Sequence, residues 1–148
     1  ARASPPSPRA PSCGYRPRMV RITATNPILR VSDVGASIRY YVEKLGFSLQ
    51  FSWGEPLSFA GVARDGFEVM LCLEGQGQPG TWFTVWVDDV DALHDEYVAS
   101  GADVRRAPVD LPWGVREMNV ADPDGHRIRF STSSGRDAEP LDDPFGPD

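Results

Sequence analysis

Hydrophobic and polar residues follow one another along residues 22–133 in an order that predicts strands and helices. The first half predicts a strand, a helix capped by Ser32 and Asp33, and three further strands at 48–53, 57–64 and 67–73. The second half predicts a strand at 82–87, a helix capped by Asp88 and Asp89, and three further strands at 104–109, 115–121 and 127–131. Each half therefore predicts the order β-α-β-β-β.

The two halves also resemble each other in sequence. Residues 31–42 recur 56 positions later with six of twelve positions identical, namely Val31/Val87, Asp33/Asp89, Val34/Val90, Ala36/Ala92, Tyr41/Tyr97 and Val42/Val98. A fixed internal offset indicates one structural unit used more than once. The sequence therefore predicts an α+β domain built from two β-α-β-β-β repeats, at about 22–74 and 81–133.

The two ends of the chain differ in composition from the repeats. Residues 1–18 contain five prolines, four arginines and no acidic residue, and residues 135–148 are rich in Pro and Asp. Such segments bury too little apolar surface to offset the entropy of ordering. We expect a disordered N-terminal extension over 1–18, a folded domain over 19–134 and a flexible tail over 135–148.

Charge and cysteine content exclude some functions. The formal net charge of −6 argues against nucleic acid as a partner, and residues 1–18 hold no apolar stretch long enough for a signal peptide or a membrane span, so no membrane partner is expected. Cys13 lies in the N-terminal extension and Cys72 in an apolar strand, so no bridge between them is expected. A core Cys72 thiol favours a reducing, cytoplasmic location.

Four short segments resemble a known family. These are Pro27–Val34, Tyr40–Phe47, Val87–Asp91 and Asp122–His126. Together with the repeat they are similar to the vicinal oxygen chelate superfamily, which includes glyoxalase I, extradiol dioxygenases, fosfomycin-resistance enzymes and bleomycin-resistance proteins. The resemblance implies a curled mixed sheet enclosing a cup-shaped cavity.

In enzymes of that superfamily, side chains of His, Glu or Gln hold a divalent metal at four strand positions. The resemblance places those positions on Asn26, near Leu71, on Trp82 and on Arg129, none of which is a good metal ligand. We therefore expect no metal and no other cofactor. No Ser-His or Cys-His spacing indicates a catalytic residue. His94 is expected to be half-exposed in a helix, and His126 to contact solvent after a turn.

The cavity lining follows from strand alternation. If Trp82 and Arg129 point inward, then Thr84, Trp86 and Arg127 do so too. Trp113–Glu117 resembles a segment of bleomycin-resistance proteins, and Glu117 is one candidate for recognising a cation. The predicted ligand-binding residues are Asn26, Trp53, Leu71, Trp82, Trp86, Trp113, Arg116, Glu117 and Arg129. Alternatively, Trp53 and Trp86 lie in the core or a dimer interface, and Arg116 pairs with Glu117.

Three functions remain open. The first is a metal-free protein of bleomycin-resistance type that sequesters a partly aromatic, cationic compound, such as an antibiotic, in the groove of a homodimer. The second is a metal-dependent glyoxalase-like lyase or extradiol-dioxygenase-like enzyme whose ligands lie elsewhere. The third is a non-catalytic interaction module. The lost ligand positions and the supply of four tryptophans favour the first.

Overall fold

The computed structural model describes residues 22–74 and 76–134, together with Ala3 and Val20. Each repeat forms one four-stranded mixed sheet and one helix. The first comprises β1 (Ile28–Arg30), α1 (Val34–Glu43), β2 (Ser48–Trp53), β3 (Phe59–Arg64) and β4 (Phe67–Cys72). The second comprises β5 (Trp82–Trp86), α2 (Val90–Ser100), β6 (Asp103–Leu111), β7 (Val115–Ala121) and β8 (Arg127–Ser133). The predicted α+β class and the repeated unit are confirmed.

The two sheets have equivalent topologies. The strand orders are β1-β4-β3-β2 and β5-β8-β7-β6, so the first strand of each repeat pairs in parallel with the last. The other neighbours are antiparallel. The sheets are not joined into one closed sheet within the chain, because no strand pairing between them exists among the described residues.

Local capping chemistry starts both helices as predicted. The carboxylates of Asp33 and Asp89 each accept a hydrogen bond from the backbone N–H three residues on, at 2.9 and 3.0 Å. Helix α2 ends at the left-handed Gly101. Helix α1 instead has Lys44 as its C-cap in a right-handed conformation, and Gly46 takes the left-handed conformation two residues later.

A single hydrophobic core joins the repeats. The helices and one face of each sheet contribute fully buried side chains, including Tyr41, Tyr97 and Ile128. Leu71, predicted to line the cavity, belongs to this core and is 0% exposed. The reason is strand parity: Leu71 pairs with the buried Leu29, so its side chain points to the core face.

His126 joins the two repeats rather than contacting solvent, so the prediction for it is wrong. Its ring is fully buried. The Thr81 backbone N–H donates to Nδ1 at 3.0 Å, and Nε2 donates to the Arg30 carbonyl at 2.6 Å. Since Arg30 ends β1, this imidazole ties the last hairpin of the second repeat to the first strand.

Several predictions about the ends and the thiols lie outside the described residues. Residues 1–18, apart from Ala3, residues 135–148 and Cys13 are among them. Cys72 is buried and forms no disulfide with another described residue. Within the described part of the chain, no helix is long and apolar enough to cross a membrane.

Candidate functional site

Each sheet has one face against the shared core and one face that neither helix of the described residues covers. We call the uncovered faces the first open face (β1–β4) and the second open face (β5–β8). Alternation decides which side chains lie on them. On β5, Phe83, Val85 and the following Val87 pack against the core, whereas Trp82 and Trp86 are exposed. The predicted alternation of this strand is therefore confirmed.

Strand register arranges the second open face in two central rows. The side chains of directly paired residues point to the same side of a sheet. One row runs across the four strands as Trp86, Ser131, Glu117 and Val109. The next runs as Thr84, Arg129, Asn119 and Arg106. Residues that are distant in sequence therefore meet in one patch.

Glu117 lies at the centre of this patch and is 2% exposed. Its Oε1 accepts from Arg106 at 2.9 Å, and its Oε2 accepts from Arg129 at 2.6 Å and from Ser131 at 3.2 Å. The hydrogen bond from Arg129 to Glu117 raises the pKa of the Arg129 guanidinium. A carboxylate buried in this way is stabilised by the charge-assisted hydrogen bonds that it accepts. We call Arg106, Glu117 and Arg129 the Arg-Glu-Arg cluster.

Asn119 lies in the same row as the two guanidinium groups. This residue is 9% exposed, and its Oδ1 is the one buried side-chain nitrogen or oxygen atom in the described residues without a hydrogen-bond partner. An unsatisfied buried carbonyl oxygen costs roughly 1–3 kcal/mol. No donor among the described residues reaches this oxygen.

Two tryptophans border the cluster on the edge strand β5. Trp86 is 65% exposed and Trp82 is 53% exposed, which is unusual for such large apolar side chains. The Arg127 guanidinium lies 5.7 Å from the centre of the Trp82 ring, a cation–π distance. The second open face thus combines exposed aromatic surface with a buried polar centre.

The structure separates other predicted site residues from this patch. Arg116 points to the opposite side of β7 from Glu117 and does not pair with it. Its guanidinium binds both carboxylate oxygens of Asp91 at 2.8 and 2.9 Å, which raises the pKa of Arg116 and lowers that of Asp91. It also lies 3.4 Å from Asp110. Arg116 therefore fastens β7 to the first turn of α2.

Three predicted residues lie away from the cluster. Asn26 is exposed ahead of β1, and Trp113 is half-buried in the turn between β6 and β7. Trp53 lies at the end of β2, on the first open face, in a row with Phe59. The structure thus brings Trp82, Trp86, Glu117 and Arg129 onto one face and leaves the other five predicted residues elsewhere.

The first open face is also partly apolar. It exposes Ile28, Phe51 and Trp53. Gly61 is required there because a Cβ atom at that position would lie 2.4 Å from the Phe51 ring. Because Gly61 has no side chain, there is room for the Phe51 ring over β3.

A cleft of about 290 Å³ lies between the β3–β4 hairpin and α2, and Trp86 borders it. In this cleft, the Arg64 guanidinium donates to both carboxylate oxygens of Glu96 at 3.0 Å and to the Leu45 carbonyl at 2.9 Å. These contacts link the first repeat to α2. Arg64 and Glu96 therefore serve packing between the repeats.

The residues do not form a site for the divalent metal of the superfamily's enzymes. In the described parts of the chain, no three residues of His, Cys, Asp or Glu lie together. At the predicted ligand positions, Leu71 is buried in the core and Arg129 is bonded to Glu117. Both oxygens of Glu117 already accept from guanidinium groups, and the two positive charges beside this carboxylate disfavour a metal cation there.

Three residues of the patch, namely Arg106, Asn119 and Ser131, were not identified from the sequence. Asn119 and Ser131 follow from alternation once Glu117 and Arg129 are placed inward, since each lies two positions away on the same strand. Arg106 could not be found in this way. Strand β6 has register shifts on both sides of Arg106, and such bulges break simple alternation.

Comparison with known proteins agrees with this architecture. The family model for the "Glyoxalase/Bleomycin resistance protein/Dioxygenase superfamily" matches residues 19–130. No protein with a curated description is significantly similar in sequence. Among solved structures, a glyoxalase/bleomycin resistance protein/dioxygenase from Nocardioides is 22% identical with a TM-score of 0.64, covering 82% of this chain and 91% of its own.

Two further structures are more similar in sequence. TnmS3, an antibiotic binding protein from Streptomyces sp. CB03234, is 28% identical with a TM-score of 0.64, covering 78% of this chain and 99% of its own. TioX from Micromonospora sp. ML1 is 26% identical with a TM-score of 0.63, covering 77% and 98%. With its matched residues and its two β-α-β-β-β repeats, the chain belongs to the glyoxalase/bleomycin resistance protein/dioxygenase superfamily.

Proposed function

We propose that this chain is a metal-free small-molecule-binding protein of bleomycin-resistance type, which sequesters a partly aromatic compound such as an antibiotic. The observation that carries the proposal is the second open face, where exposed Trp82 and Trp86 border a buried polar centre. Ligand sites combine apolar, aromatic walls with a few fixed polar groups in this way. Indole rings stack well on planar ligands.

The similarity to TnmS3 supports this proposal, because that protein is described as antibiotic binding and is matched along 99% of its length. The poor donor set at the expected metal positions also favours binding over metal-assisted chemistry in this chain. We propose no catalytic step.

We further propose that the ligand lies in a groove between two copies of the chain. Each copy exposes aromatic surface on both open faces, with Trp53 on the first and Trp86 on the second. Exposed apolar surface of this kind is typical of interaction sites. Stacking the first open face of one copy on the second open face of the other would cover both, and symmetry would create two equivalent grooves.

Two smaller proposals accompany the main one. The unit that folds and dimerises is residues 19–134, in agreement with the matched residues 19–130. The protein acts in the cytoplasm, where the buried thiol of Cys72 would stay reduced.

A calorimetric titration of the full chain, stripped of metal by a chelator, tests the function. The titrants are metal-free bleomycin and nalidixic acid, a planar aromatic carboxylate. The proposal predicts saturable binding of at least one, lost in Trp86→Leu and kept in Trp113→Leu. Absence of binding for both, or binding that returns only when Ni²⁺, Zn²⁺ or Fe²⁺ is added, would overturn it.

A further inference from the structure

The charge of the second open face identifies the ligand's chemistry more closely. Three guanidinium groups, from Arg106, Arg127 and Arg129, lie on this face, and Glu117 is the carboxylate at its centre. Asp103, at the outer end of the face, is already paired with Arg105 at 2.8 Å. The centre of the face is therefore positively charged, although the chain as a whole is acidic.

Glu117 does not attract a cation, because its charge is already balanced. It accepts hydrogen bonds from both arginines of the Arg-Glu-Arg cluster, and only 2% of its side chain is exposed. Its role is to fix the planes of the two guanidinium groups. Each arginine gives one N–H group to Glu117 in the contacts described, and 44% of Arg106 and 35% of Arg129 remain exposed. Their remaining donors can bind a carboxylate.

Asn119 offers a hydrogen-bond acceptor to the ligand, whereas the two arginines offer donors. Its buried Oδ1 accepts no hydrogen bond and lies in the row between the two arginines. A ligand that supplies an N–H or O–H group here satisfies a buried acceptor. The patch therefore places hydrogen-bond donors on both sides of one acceptor, and Trp86 lies in the neighbouring row on β5.

We propose that the second open face binds an anionic aromatic compound. Its carboxylate or phenolate contacts Arg106 and Arg129, a neighbouring N–H or O–H donates to Asn119, and its ring stacks on Trp86. This inference rests on the proposed function, and it replaces the expectation of a cationic ligand. Charge-assisted hydrogen bonds are stronger than neutral ones, so the preference for an anion should reach about tenfold.

Three probes of similar size test the proposal on the full chain by calorimetry at about pH 7.5, where the amine is protonated. Naphthylpropionate carries a carboxylate, naphthoylglycine carries a carboxylate and a nearby amide N–H, and naphthylethylammonium carries a positive charge. We expect naphthylpropionate to bind about tenfold more tightly than the ammonium compound. Naphthoylglycine should gain roughly a further fivefold from its N–H donor.

Two variants separate the contributions. Arg106 is 44% exposed on the edge strand β6, and Glu117 keeps its bonds from Arg129 and Ser131, so the fold should tolerate Arg106→Gln. It should remove most of the preference for the anion without weakening binding of the ammonium probe. Asn119→Leu has a similar volume and should abolish only the additional gain of naphthoylglycine.

The outcomes distinguish this inference from the proposed function. Equal binding of the three probes, or a preference for the ammonium compound, overturns the inference and leaves aromatic binding standing. If Arg106→Gln weakens self-association without changing probe affinity, its guanidinium serves the contact between chains and the inference is wrong. If none of the probes binds while bleomycin does, the inference alone fails. If nothing binds, both fail.

Discussion

Replacing Glu117 with Gln should destabilise the fold more than any other neutralisation of a single carboxylate discussed above. The glutamate accepts three hydrogen bonds at 2.6–3.2 Å and is almost fully buried. Glutamine keeps the shape but loses the charge, and its amide N–H₂ group must then face a guanidinium donor. One charge-assisted bond is lost and one donor–donor contact is created.

The magnitude follows from burial. Removing one partner of a fully buried ion pair costs about 3–5 kcal/mol. The guanidinium groups of Arg106 and Arg129 are 44% and 35% exposed, so water can partly replace the lost carboxylate. We therefore expect Glu117→Gln to lower the free energy of unfolding by about 2–3 kcal/mol.

Urea denaturation followed by circular dichroism at about pH 7 measures this change. Asp91→Asn is the matched control, since Asp91 also holds an arginine by two contacts, but at the exposed surface. Exposed ion pairs contribute little to stability. If Glu117→Gln loses no more stability than Asp91→Asn, the Arg-Glu-Arg cluster is not the buried network described here.

Burial raises the pKa of Tyr41 and Tyr97 above the ordinary value near 10, so the folded state keeps protons that the unfolded state loses. The free energy of unfolding should therefore fall above about pH 10, by up to about 1.4 kcal/mol per pH unit for each tyrosine, in urea titrations. His126→Ala removes one hydrogen bond to Arg30 of the first repeat and one to Thr81 within the second, and should cost about 2–4 kcal/mol. Trp53→Glu should convert a dimer into a folded monomer in light scattering.

Each of these predictions has a control. Tyr97→Phe should make the alkaline loss less steep, and an unchanged free energy of unfolding between about pH 9 and 11 would contradict the burial argument. His94→Ala, on the half-exposed side of α2, should change stability little. Val98→Glu is also exposed but lies on α2, away from both open faces, so it should remain dimeric. A monomeric wild type would contradict the groove between chains.

Periodicity and capping were enough to predict the fold because they act locally. The strands at 48–53 and 115–121 have the predicted bounds, and Asp33 and Asp89 cap the helices through their own side chains. The internal repeat then determined that the two sheets share one topology. The predicted strand ends were less accurate, because they depend on pairing with neighbouring strands. The strand predicted at 104–109, for example, extends from Asp103 to Leu111 as β6.

The site was only partly predictable because it depends on register. Strand alternation correctly placed Trp82, Trp86 and Arg129 on one face. On β4 the predicted inward position was one residue out, because Leu71 points to the core. The partners of Glu117 come from β6 and β8, and bulges in β6 decide that Arg106 reaches it. No local pattern in the sequence contains this information.

The most direct test of the central claim is the response of the four tryptophan indole N–H resonances to naphthoylglycine, measured by NMR on the isotope-labelled full chain. Each resonance can be assigned by a Trp→Phe substitution. The account predicts saturable shifts at Trp86 and Trp82, which border the Arg-Glu-Arg cluster, and little change at Trp113. Shifts confined to Trp113 would show that the second open face is not the binding site, and no shift at millimolar probe would contradict the anionic aromatic ligand.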